Sequence, residues 1–145
     1  MAIRVLFAAL VLASAIARAQ SLPVLELSVG IHRIEAEVVN TMQSRMRGLM
    51  ERKSMPMQRG MLFVFDIDAR HCMWMKNTLL PLAVAFIDDR GRIINVEEMQ
   101  PETEQNHCAS RPARYALEMN AGWFRNRKLE PGAVLNGIDR APPAQ

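Results

Sequence analysis

His71-Cys72-Met73-Trp74-Met75-Lys76-Asn77-Thr78-Leu79-Leu80-Pro81-Leu82 breaks an otherwise apolar region of the chain. Apolar and polar residues alternate from His71 to Lys76, as in a half-buried strand. Lys76, Asn77 and Thr78 then form a polar turn, and a second apolar strand begins near Leu82. A lysine, an amide and a hydroxyl therefore sit where a core segment would continue. Buried polar groups cost free energy unless they are paired, so this turn is either satisfied by its own structure or reserved for a ligand.

Outward from this turn, short strand signals recur on both sides. Val24–Val29 and Ile31–Val39 alternate apolar and polar residues across Gly30, which predicts an antiparallel pair. Thr41 is placed to cap a short helix carrying Met42, Met46, Leu49 and Met50, whose spacing predicts a packed stripe. Met61–Phe65 is continuously apolar, the mark of a strand buried on both faces. Leu82–Ile87 and Arg92–Glu98 flank Asp88-Asp89-Arg90-Gly91, a hairpin turn. Arg114–Met119 alternates again, Ala121–Lys128 suits a short helix with Trp123 and Phe124, and Ala133–Asn136 is a last strand. The expected fold is mainly β, with α+β character at its margin. It is a compact, mostly antiparallel, barrel-like sheet of about seven strands with two short helices, since curling protects exposed edges. Residues 20–40 supply the N-terminal strands and 41–138 the rest of a single domain, with residues 139–145 expected to be a disordered tail.

The chain has 145 residues, half of them hydrophobic, enough for one packed core. Residues 1–19 read as a cleaved secretory leader, with Arg4, an apolar run from Val5 to about Ala17, and the small-x-small site Ala17-Arg18-Ala19. That run is too short to span a bilayer, and the rest of the chain shows no spanning segment. The expected location is outside the cytoplasm: the periplasm in a Gram-negative source, otherwise secreted. Of 18 basic residues, Arg4 and Arg18 leave with the leader, so 16 face 15 acidic ones. A charge so nearly balanced gives no reason to expect a nucleic-acid partner. The two cysteines, Cys72 and Cys108, are expected to form a disulfide in an oxidising compartment. No Cys-x-x-Cys pair exists to serve as a redox dithiol.

Four runs occur in order: Arg47-Gly48-Leu49-Met50, Gly60 through Phe65, Trp74-Met75-Lys76-Asn77-Thr78 with Pro81-Leu82, and Ala116-Leu117-Glu118-Met119-Asn120-Ala121-Gly122. Together they resemble the family catalogued as domain of unknown function 192, small prokaryotic proteins often exported. The resemblance runs from about Thr41 to Gly137 and implies a compact, β-dominated domain; it implies no particular activity. Ala83 and Ala133 stand where the family commonly carries aspartates, so a catalytic or hard-metal role for those carboxylates is missing from this chain.

Three functional readings stay open. The first is a small binding or accessory module for a small ligand or a protein partner, with its site at Trp74, Lys76, Asn77, Thr78, Glu118 and Asn120, and Arg47 as a further candidate. A lysine supplies a point charge for a carboxylate or phosphate, Asn and Thr supply directional hydrogen bonds, and Trp74 an apolar wall. The structural counterpart has Asn77 and Thr78 bonded to backbone and Lys76 paired with Glu118. In the second reading His71, Met73 and Met75 share a strand face and bind Cu(I) or Ag(I) through thioethers and imidazole; against it, Met is a common core filler. No cofactor is expected under the first reading. The third is a hydrolase or transferase, but His32, His71 and His107 are scattered and no serine sits in a nucleophile-elbow run. The arginines and lysine at 45, 47, 52, 53 and 59 read as a solvated face or as an anion site.

Overall fold

The computed structural model describes residues 21–145; the expected leader, residues 1–19, lies outside the described residues. β1 (Val24–Val29) and β2 (His32–Val39) form the expected hairpin across Gly30, with Val29 opposite His32. The chain then crosses through α1 (Met42–Arg47) to β3 (Arg59–Ala69), which pairs parallel to β2. Next come β4 (Cys72–Met73), β5 (Leu82–Ile87), β6 (Ile93–Met99), β7 (His107–Cys108), β8 (Ala113–Asn120), α2 (Trp123–Asn126) and β9 (Leu135–Asn136). Seven strands make one curled, half-barrel sheet in the order β6-β5-β8-β3-β2-β1-β9, and β4 with β7 makes a separate two-stranded ribbon. The mainly β expectation holds, and among the described residues there are two short helices and one parallel pair in an otherwise antiparallel arrangement.

Curling brings the two ends of the sheet together through an Arg92–Val134 bridge, with Ile93 N donating to Ala133 O at 2.9 Å and Leu135 N to Gly91 O at 2.7 Å. The β5–β6 turn is held by Asp88, whose Oδ1 accepts from Arg90 N and Arg92 N at 3.0 and 2.9 Å. Its last residue, Gly91, has φ 80°, a conformation open to glycine without strain.

Side-chain alternation along the strands divides the core in two. Leu62, Val64, Ala83, Ala85 and Leu117 join Trp123 and Phe124 in one cluster. Met61, Phe63, Phe65, Leu82, Val84 and Phe86 belong to the other. The first is covered by α2 and the C-terminal residues. The second is covered by less regular chain: the loop after α1, the β4–β7 ribbon and the segment leading to Leu82.

Two expectations are corrected. The 139–145 tail is ordered: Ile138–Arg140 is a 3-10 turn, Asn40 Nδ2 donates to Pro143 O at 2.8 Å, and Gln145 N donates to Asn40 O at 2.7 Å. Ala141 and Ala144 pack on the first cluster, so the tail has apolar surface to bury. The methionine stripe of α1 is not core, because Met42 and Met46 are 70% and 69% exposed. The Thr41–Ser44 capping box sets the start of the helix, and Arg45 takes the inward position. Its Nη1 donates to Asn40 O at 2.8 Å and Val64 O at 2.9 Å.

Candidate functional site

After β4 the chain keeps its alternation for three residues, leaving Trp74 and Lys76 outside and Met75 fully buried. Asn77 then takes φ 53°, a left-handed conformation that asparagine tolerates better than most residues. Thr78 is buried, and its hydroxyl donates to Lys76 O at 3.1 Å while its N–H donates to Met75 O at 3.1 Å. Glu51 N donates to Asn77 O at 2.8 Å and Glu102 N to Thr78 O at 3.0 Å. Neighbouring loops thus lock the turn from both sides. The Lys76 ammonium lies 5.2 Å from the Trp74 ring centroid and 3.8 Å from Glu104 Oε1. The expected Lys76–Glu118 pair is corrected accordingly: Lys76 faces solvent, whereas Glu118 faces the core.

Glu118 stands in β8 between Met61 of β3 and Val84 of β5, on the methionine-rich side of the sheet. Burial raises its carboxyl pKa from 4.5 to about 8, so it is mostly protonated at neutral pH. A neutral carboxyl group in such a setting can donate a hydrogen bond. Two residues on, Asn120 pairs with Leu82, and its Nδ2 donates to Met55 O at 3.0 Å and Pro56 O at 3.3 Å. Asn120 therefore ties down the loop covering this side. Gly60 makes the close packing here possible: a Cβ at that position would meet Met119 Sδ at 2.3 Å and Glu118 O at 2.6 Å.

The predicted site residues thus fall into an outer and an inner set. Trp74, Lys76 and Asn77 are exposed on the turn; Thr78, Glu118 and Asn120 lie within or beneath the cover. Arg47 is apart from both, exposed at the end of α1 and 3.8 Å from Glu51 Oε2. It lines a groove of about 440 Å³ with Ser44, Arg52 and Arg59. Arg52 is paired with Glu37, and Arg59 Nη2 lies 2.7 Å from Glu35 Oε2, so much of that basic charge is compensated locally.

His71 stacks on Phe65 with centroids 3.7 Å apart, and its Nε2 lies 2.9 Å from Ile67 O. Met73 and Met75 are buried in the second cluster. The disulfide Cys72–Cys108 joins directly opposed residues of β4 and β7. The next pair in that ladder is Met73 with His107, a residue that sequence reasoning passed over as isolated. The signal was present: a disulfide inside an antiparallel ladder fixes which residues oppose one another on either side of it. Among the described residues, no three His, Cys, Asp or Glu side chains are grouped to hold a metal ion.

A family model, DUF192, described as an uncharacterized ACR, matches residues 24–137. The chain belongs to the DUF192 family. The match reaches back through β1 and β2, further than the motifs alone indicated. Among solved structures, the chain is similar to a Sinorhizobium meliloti 1021 protein described as a putative transcription regulator, at 32% identity and TM-score 0.78, covering 82% of this chain and 97% of that one. It is also similar to a protein of unknown function from Novosphingobium aromaticivorans DSM 12444, at 26% identity and TM-score 0.78, covering 84% and 91% of the two chains. No curated protein matches the chain. Among the described residues no helix is long and apolar enough to cross a membrane.

Proposed function

We propose that this DUF192 protein is an exported binding or accessory module whose contact surface is Trp74, Lys76 and Asn77. The observation carrying this reading is that Trp74, 45% exposed, and the adjacent Lys76 cation project from a turn whose backbone is held by other groups. The fold does not need these two side chains for its core. An indole face beside an ammonium suits a ligand that combines a carboxylate with a flat or apolar flank, whether a small molecule or a peptide. Thr78 holds the turn, while Glu118 and Asn120 support the layer beneath it. The leader-like N-terminus and the Cys72–Cys108 bridge support export, since such bridges persist in oxidising compartments. The regulator description of the Sinorhizobium relative stays with that protein: without residues 1–19, 16 basic residues face 15 acidic ones, and a balance this even gives no reason to expect a nucleic-acid partner.

Native mass spectrometry of mature protein taken from its own compartment tests this reading. A bound mass is expected in the wild type and absent from Trp74→Ala and Lys76→Ala, with the melting temperatures of both variants unchanged. Equal retention by wild type and variants, or a wild type that carries nothing, overturns it.

A further inference from the structure

The β4–β7 ribbon holds an arrangement that its structural role leaves unexplained. Met73 and His107 are directly opposed in an antiparallel ladder, so their side chains share a face with Cβ atoms about 4.5–5.5 Å apart. The neighbouring Cys72–Cys108 bond fixes that register. The His107 side chain is only 10% exposed. Among the described residues its Nε2 is buried with no hydrogen-bond partner, a costly state for a polar atom unless something binds it. Its other ring nitrogen, Nδ1, lies 3.9 Å from Glu97 Oε2. Metal-bound histidines commonly direct the second ring nitrogen at a carboxylate; here the separation is that of a charge contact, longer than a hydrogen bond. Met75, fully buried, follows Met73 by two residues on the buried side of the same alternating stretch and belongs to the same cluster.

We propose that His107 Nε2, with the sulfurs of Met73 and Met75, forms a site for a soft monovalent cation, Cu(I) or Ag(I). An imidazole and two thioethers are neutral soft donors matched to such an ion rather than to Ca(II) or Mg(II). Glu97 lies behind the imidazole and supplies the balancing negative charge. His107 takes the role that the sequence suggested for His71, whose ring is stacked on Phe65 with Nε2 facing a carbonyl. The inference stands apart from the ligand surface at Trp74 and does not depend on it.

Mature, disulfide-intact protein titrated with Ag(I) in chloride-free buffer provides the test, because Ag(I) needs no reductant. One equivalent is expected to bind, with the His107 ring nitrogen resonance shifting while those of His32 and His71 stay in place. His107→Gln and Met73→Leu should each weaken uptake at least 100-fold, and Glu97→Gln by roughly 10-fold, in line with the usual effect of a partner behind a metal ligand. Met42→Leu, on the exposed face of α1, should change nothing. No stoichiometric uptake, an unmoved His107 resonance, or binding lost only in Met42→Leu overturns the proposal. The wild-type resonance decides the matter even if His107→Gln fails to fold.

Discussion

On one face of the sheet Leu62, Val64, Ala85 and Leu117 meet Trp123 and Phe124 in a cluster of apolar side chains. On the other, Met61, Phe63, Val84 and Met99 form an equally buried layer that also encloses Glu118, with Thr78 in the chain that covers it. The same strands build both faces by alternation, so strand propensity cannot explain the contrast. The covering segments can. A short helix and the ordered C-terminus seal the first face and bring mostly apolar surface. The second is roofed by turns and loops, whose backbone groups must find partners. Thr78 and Asn120 serve that need, and flexible methionines fill the irregular space between. The candidate functional residues collect on this loop-covered side.

The largest expected test of this contrast is pH. Glu118 has a folded-state pKa near 8 against an ordinary value of 4.5, so the folded protein binds its proton more tightly. Stability from this group is fully present below the unfolded pKa and falls as pH rises from about 4.5 toward 8, by roughly 3–5 kcal/mol in total. Urea unfolding at pH 5 and pH 8 should show that loss in the wild type and a much flatter response in Glu118→Gln. Phe124→Ala, on the apolar face, should cost about 3–5 kcal/mol at both pH values while keeping the wild-type pH slope. Equal slopes in wild type and Glu118→Gln would erase the proposed difference between the faces.

A comparable effect comes from the ribbon. The Cys72–Cys108 bridge spans 36 residues, and its removal by a double serine substitution should cost about 3.5–4 kcal/mol by chain entropy. Hydrogen exchange should then show loss of protection concentrated in the loops over the methionine-rich side, with the β1–β2 hairpin less affected. Uniform loss would mean that the bridge supports both faces alike.

The smallest effect is expected at the outer residues. Trp74→Ala and Lys76→Ala should each change unfolding free energy by no more than about 0.5 kcal/mol, because both side chains are exposed and the Lys76–Glu104 pair is a solvated one. A larger loss in thermal unfolding would move these residues from the contact surface into the structural framework.

Local signals read well. The Gly30 hairpin, the Thr41 cap, the Asp88–Gly91 turn and the apolar strands at 61–65 and 82–87 each depend on a few neighbouring residues, and each is found. The candidate site was only half legible. Trp74 through Thr78 declares itself by placing polar residues within an apolar run, yet which of them turn inward depends on Asn77 adopting φ 53° and on loops from elsewhere in the chain. The α1 stripe misled because spacing identifies a helix face without saying which face docks, and Arg45 reached two backbone carbonyls that the methionines could not bond.

The sequence by itself determined the β-rich class, the hairpins, the helix cap and the pairing of its two cysteines, because each follows from patterns or residues that can be counted along the chain. Only the tertiary structure decided that β2 runs parallel to β3, that Glu118 is enclosed without Lys76, that the last residues dock, and that His107 faces Met73. Those outcomes depend on which distant segments come to cover a given face, and on whether a polar atom meets solvent, a partner or neither once they have closed over it.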